Sequence, residues 1–329
     1  MIVSVIGGAF AGVTLMGAAL AAPLQPARTE AGGRRLPEEA AAAARMNEAD
    51  CKTRHLLWPG LLQLCTGREA EGRALAWAGA AEGAATAALW SVHGLPNSEA
   101  GLDGRWSPFV MWQNGLLYSY ARVGLDTQLA SATPYTPRDD LSELMRAPFS
   151  GQVLRRPSVW AGTLVMVGGA AALTFGVDEA SVALDRPTNL FGLELQQAAG
   201  APLFLATDMV LMEHVAIGEE IVFRGLLQSE LVRRTGPAGG WALGTLLFGG
   251  LHASNALFLP EAERRDYLLY SLPYIMAAGS WLGATYHLSD YSLAPSVAVH
   301  FWYNVSVSAL DYVLHPEQNL FSIRVGGEL

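Results

Sequence analysis

Between residues 158 and 314 the chain carries five apolar stretches, 158–177, 201–232, 239–259, 267–287 and 292–314. Each has about 20 residues or more, which at ~1.5 Å per residue is enough to cross a ~30 Å hydrocarbon core. Lipid offers no hydrogen bonds, so only helices and closed barrels satisfy their own backbone within it. No run alternates apolar and polar residues with the period of a strand. The pattern therefore predicts an all-α, polytopic transmembrane helix bundle, with roughly six to eight membrane segments once weaker upstream stretches are added. Charged residues make up 16% of the chain, against about 25% in soluble domains, which points the same way. The net charge of −9 leaves no basic face to neutralise phosphates, and so excludes nucleic acid as a partner.

The rest of the chain divides by composition. Residues 1–22 contain an apolar run ending in small residues, without a basic segment before it. Arg28, Arg34, Arg35 and Arg45 follow closely and resist export, so this segment is either a signal peptide or an N-terminal anchor. Residues 23–73 form a polar extension whose one apolar patch, "LLWPGLLQL", is too short to span and is expected at the interface. Residues 74–157 hold N-terminal membrane segments and a linker. Within them 74–93 is a Gly/Ala-rich span, 106–121 lies at the interface or returns across it, and 126–157 connects to the core at 158–320. Cys51 and Cys65 lie fourteen residues apart, and two cysteines make no disulfide framework, so two unpaired thiols are expected over a bridge. If Arg155 and Arg156 are cytoplasmic, the next helix exits toward Asp178, Glu179 and Asp185, and its successor returns to Arg233 and Arg234. Arg264 and Arg265 then fall on the outer side, among three acids.

Polar groups inside apolar stretches carry the functional signal. "EHVAIGEEIVFRG", residues 213–225, places several ionisable groups on one helix, although one charge at the bilayer centre costs at least ~2.5 kcal/mol. Glu220 and Arg224 are four residues apart with the acid first, the favourable order for an ion pair. Glu213 is on roughly the same face and is expected as a second partner for Arg224. Glu219 is rotated about 100° away and has no local cation, the profile of a general acid/base. His214 is assigned a packing role. "FGGLH" places Phe248 and His252 one turn apart, behind glycines that admit another helix, and "HFWYN" does the same for His300 and Asn304. Packed together, these helices would gather Glu219, His252, His300 and Asn304 in one cavity. Asp208 is a candidate supporting group near the Glu219 face, and Asn255 either orients His252 or caps a loop. Trp241, Tyr267, Trp281 and Tyr286 fit interfacial belts. The structural alternatives are an intrahelical ion network for the glutamates and interhelical hydrogen bonding for the histidines and Asn304.

The three motifs in this order resemble the CPBP family of intramembrane peptidases, which includes CAAX prenyl endopeptidases and the Abi or bacteriocin-immunity proteins. The family pattern is a glutamate pair, three residues and an arginine, then Phe-x-x-x-His, then His-x-x-x-Asn/Asp. Glu219, Glu220 and Arg224, then Phe248 and His252, then His300 and Asn304 match it. The resemblance covers roughly residues 195–315 and leaves the first 150 unaccounted for. It implies hydrolysis of a peptide bond in a membrane-associated peptide or protein. In that reading Glu219 and His252 activate water, His300 and Asn304 bind the oxyanion, and Glu220, Arg224 and Phe248 support the site. A metal-free glutamate mechanism with no cofactor is favoured, since no HExxH spacing is present. A zinc ion held by Glu219, His252 and His300 is the open alternative. The Ala/Arg/Gly-rich composition suggests a bacterial inner membrane, with the lipid bilayer itself as a partner. The rival reading is a non-catalytic membrane scaffold or immunity protein that retains the fold. A transporter is disfavoured because the halves show no repeat.

Overall fold

The computed structural model describes residues 51, 53–93, 104–177, 182, 185–191, 193–259, 261–314 and 316. The signal-or-anchor expectation for residues 1–22, and the acids Asp178 and Glu179, lie outside the described residues. Among the described residues the chain is all-α apart from one short hairpin, which the sequence pattern did not anticipate. Its strands, β1 (Pro187–Leu190) and β2 (Leu193–Gln196), pair antiparallel with Thr188 opposite Leu195. Four residues per strand is too short for a periodic signal to accumulate.

Seven long helices build the rest: α1 (Glu69–His93), α2 (Ser107–Ala130), α3 (Pro157–Val177), α4 (Gln197–Glu220), α5 (Ser229–Ala253), α6 (Leu272–Leu288) and α7 (Ala294–Leu314). An eight-residue π-helix, Ile221–Gln228, joins α4 to α5. In α7, 15 of 21 residues are buried, so it is the central helix, enclosed on nearly every side. One face of α7 (Val297, Phe301, Val305) packs with Leu211, Val215 and Ile221 of the α4 stretch and with Val110, Leu117 and Leu125 of α2. Another face (Ala298, Val299, Tyr303, Val307) packs with Val159 and Met166 of α3 and with Ala278 and Leu282 of α6.

Two helical stretches are long and apolar enough to cross a membrane among the described residues, Pro157–Phe175 and Gln197–Leu257. On α3, Trp160, Leu164, Val165 and Phe175 are each more than half exposed, an apolar surface of the kind that meets a membrane or a partner. The second stretch has 61 residues, about 90 Å of helix at the usual rise, but it reverses inside α5. Gly236 adopts φ +80°, ψ 171° immediately before Pro237, a backbone open to glycine at no steric cost. The break falls between the two apolar stretches read from the sequence. Helix α6 has 17 residues and is too short by this measure, and α7 carries His300, Asn304 and Asp311, which lower its mean hydropathy.

The region 126–157 is more than a linker. The last turns of α2 run to Ala130, and short helices over Leu141–Arg146 and Gly151–Leu154 fold under α7. Asp139 caps α7 from afar: it accepts from the Ser292 hydroxyl (2.7 Å) and the Leu293 amide (2.9 Å). Arg122 in turn donates to the Asp139 carbonyl (2.7 Å) and to Asp126. Helix α2, which contains the stretch 106–121 expected at the interface or returning across it, packs along α4. A Cβ at Gly218 would meet the Cβ of Asn114 at 3.0 Å, so glycine is what allows α2 this close to the residue preceding Glu219.

Cys51 and Cys65 are joined by a disulfide. The expectation of two unpaired thiols is therefore corrected. The helical turn at Thr53–Leu56 and the short helix Leu61–Cys65 fold back on one another, a local reversal that spacing alone does not reveal.

Candidate active site

Glu219 and Glu220 close α4, and the π-helix begins immediately after them. A π segment widens the helix, and such segments concentrate at functional sites. Arg224 lies inside it and donates to Glu220 Oε1 at 3.0 Å, the pair that the four-residue spacing predicted. Its other nitrogen donates to the Gly279 carbonyl on α6 at 2.9 Å, and its guanidinium carbon stands 4.4 Å from the centre of the Phe248 ring. The buried cation thus has a carboxylate, a carbonyl and an aromatic face around it, which is how such a charge is tolerated in an apolar setting.

Helix α7 brings the next partner from eighty residues away. His300 Nδ1 donates to Glu220 Oε1 at 2.9 Å, while its Nε2 stands 3.8 Å from Glu219 Oε2. His300 therefore bridges the two acids. Glu220 is engaged by both Arg224 and His300, whereas Glu219 makes no hydrogen bond to any described residue. Asn304 follows one turn along α7, with both amide atoms buried and unpartnered among the described residues.

Helix α5 supplies the third wall. Phe248 lies with its ring 4.2 Å from that of His252 and 4.9 Å from that of Phe223. A Cβ at Gly279 would come within 3.0 Å of the Phe248 ring, so a glycine on α6 leaves room for the ring under Arg224. His252 Nδ1 donates to the Phe248 carbonyl at 2.7 Å, which leaves Nε2 as its unengaged nitrogen. Tyr267 fixes that turn, since its hydroxyl donates to the His252 carbonyl (2.8 Å) and accepts from Asn255 Nδ2 (2.9 Å). Glu219, Glu220, Arg224, Phe248, His252, His300 and Asn304 are each at most 5% exposed.

Several readings of neighbouring residues are corrected. Glu213 is half-buried beside His214 and is not a partner of Arg224: eleven residues of helix separate them, about 16 Å at ~1.5 Å per residue, beyond the reach of the two side chains. His214 does more than pack: its Nε2 stands 3.3 Å from Glu82 on α1, tying that helix to α4. Asp208 lies three turns before Glu219, fully buried, with Ser308 as the polar group facing it, and is not in the cluster. Tyr267 and Tyr286 are buried and hydrogen-bonded, so they belong to no interfacial belt. Trp241 and Trp281 are partly exposed but donate their indole N–H groups to Ser280 and Ser158 carbonyls. The Gly279 carbonyl was not visible in the sequence at all, since a backbone acceptor has no residue signature.

A zinc ion shared by Glu219, His252 and His300 would need their ligand atoms close together. Among the described residues, the one set of three or more such groups with all ligand atoms within 4.8 Å is Cys51, His55 and Cys65. The ligand atoms of Glu219, His252 and His300 do not all lie within 4.8 Å of one another in this arrangement.

Residues 201–306 match the model of the Rce1-like family, type II CAAX prenyl endopeptidases. The match spans all three motifs. No curated protein and no solved structure matches the chain.

Proposed function

We propose that this chain, whose residues 201–306 belong to the Rce1-like type II CAAX prenyl endopeptidase family, is an intramembrane endopeptidase that cleaves a membrane-associated peptide or protein with a glutamate-activated water. The observation that carries this reading is the inequality of the two adjacent acids. Arg224 and His300 both engage Glu220, whereas Glu219 is buried beside them with its carboxylate uncommitted. A buried acid without a structural partner is costly, and such groups cluster where proton transfer is needed.

The proposed steps use protein groups and water alone. Glu219 takes a proton from a water held between its carboxylate and His252 Nε2, and that water attacks the scissile carbonyl. Asn304 Nδ2 and His300 donate to the developing oxyanion, a contribution of about 3 kcal/mol per donor in comparable sites. The proton that Glu219 takes from the water is then available for the leaving amine. Arg224, Phe248 and Gly279 keep Glu220, and through it His300, in place. The membrane segments number six to eight, with the long stretch 197–257 crossing twice about Gly236, in what we take to be a bacterial inner membrane.

The discriminating experiment compares membrane proteomes carrying wild-type protein and His252→Gln. New protein N-termini near membrane segments are expected in the first and absent in the second. Identical sets of termini would favour the non-catalytic scaffold. Purified protein stripped of metal with a strong chelator is expected to keep its activity. Loss that zinc alone restores would overturn the metal-free mechanism.

A further inference from the structure

The cluster of Cys51, His55 and Cys65 lies outside the peptidase motifs and outside the matched segment. Its three ligand atoms are within 4.8 Å of one another, and all three residues are half-buried. His55 follows Cys51 by four residues, on the helical turn Thr53–Leu56, and Cys65 ends the short helix Leu61–Cys65. That short helix is fastened to α2, with the Gly60 amide donating to the Ser119 hydroxyl and Gln63 Nε2 to the Ser119 carbonyl, both at 3.0 Å. Three residues beyond Cys65, Arg68 pairs with Asp126 at 2.8 Å.

These contacts run along α2 from its middle, at Ser119, toward its C-terminal end, at Asp126, and the end they lead to is rich in arginine. Arg122 reaches Asp139, Arg233 reaches Pro134 (3.2 Å), Arg138 adjoins the α7 cap, and Arg155 and Arg156 precede α3. The opposite end, where α2 starts and the hairpin lies, holds Arg105, Arg186, Arg264 and Arg265 among Glu194, Glu261 and Asp266, fewer arginines than the first. Arginine-rich ends face the cytoplasm. Disulfides do not persist there, because the thiol pool keeps cysteines reduced. A bridge on that side is in tension with its compartment, and two reduced thiols beside an imidazole are a soft ligand set.

We propose that Cys51, His55 and Cys65 form a thiolate–imidazole site for a zinc-class divalent cation, occupied when the bridge is reduced. Two equivalents of a cellular monothiol reduce the bridge, giving two cysteine thiols and one external disulfide. The cation then displaces two thiol protons and takes one neutral ring nitrogen, with water completing four-fold coordination. Bridge and cation exclude each other, and either one closes the loop that holds the N-terminal extension against α2.

The test uses the full chain, purified in detergent, reduced under anaerobic conditions, loaded with zinc, desalted and assayed by elemental analysis. Reduced wild type and Glu219→Gln are expected to retain about one zinc per chain. Diamide-oxidised wild type and Cys65→Ser should retain below about a tenth of that, and His55→Ala should bind more weakly. Cobalt loading of reduced wild type should give thiolate-to-metal charge-transfer absorption, a readout that does not depend on how the variants fold. No zinc in the reduced wild type, unchanged binding in His55→Ala, or cobalt bound without sulfur absorption would overturn the proposal. Loss of zinc in Glu219→Gln would also overturn it, by placing the ion in the peptidase cluster. Absence of peptidase activity leaves these readings unaffected.

Discussion

Glu219→Gln is expected to lose at least about 10²-fold in cleavage rate, the usual contribution of a positioned acid/base group, while protein level and thermal unfolding stay near wild type. The amide is close in size to the carboxylate and breaks no hydrogen bond, because Glu219 makes none to a described residue. It cannot accept the proton of water. Glu213→Gln serves as the control: Glu213 is half-buried on the same helix but touches neither Arg224 nor His300, and the variant should cleave like wild type. A single-turnover assay on a membrane-embedded peptide would measure both. Equal losses in the two variants would mean that helix charge, not catalysis, is what these acids provide.

Arg224→Ala is expected to act through stability, and strongly. Removing one partner of a buried ion pair leaves an uncompensated charge, at a cost of about 3–5 kcal/mol. Here Glu220 would keep only His300 and Ser296, neither of them a permanent cation, the Gly279 carbonyl would lose its donor, and the Phe248 ring would lose the cation above it. Arg224→Lys should recover only part, since a single ammonium cannot meet Glu220 and Gly279 with the fork of a guanidinium while covering the ring. Replacing Glu220 and Arg224 together, as Glu220→Gln with Arg224→Met, should be milder than Arg224→Ala alone. That double change removes both charges and leaves an amide oxygen for His300. Thermal unfolding of the detergent-purified variants is the measurement. If Arg224→Ala unfolds like wild type, the network is not what holds α4, α6 and α7 together.

Much of the cluster is local and therefore legible. The Glu220–Arg224 pair, the Phe248–His252 pair and the His300–Asn304 pair are all one-turn relations, and helical periodicity reports such relations directly. The break near Gly236 is legible too, because glycine followed by proline interrupts an apolar stretch. What periodicity misreads is distance along the helix axis and anything that leaves the surface rule. Glu213 shares a face with Glu220, but eleven residues of helix put it about 16 Å from Arg224, out of reach. Tyr267 and Tyr286, which composition alone would send to the bilayer interface, are buried by helices distant in sequence. The Cys51–Cys65 bridge needs a chain reversal that no spacing encodes.

The sequence by itself determined the helical class, the apolar lengths that suit a bilayer, and the three motif pairs, since each depends on residues within a few turns. Only the tertiary structure decided how the two adjacent glutamates differ. Both sit at the end of α4, one residue apart, but His300 arrives from α7, Gly279 from α6 and Phe248 from α5, and together they commit Glu220. Glu219 is left uncommitted because the packing of helices eighty residues apart, not the order of residues on one of them, sets where each partner falls.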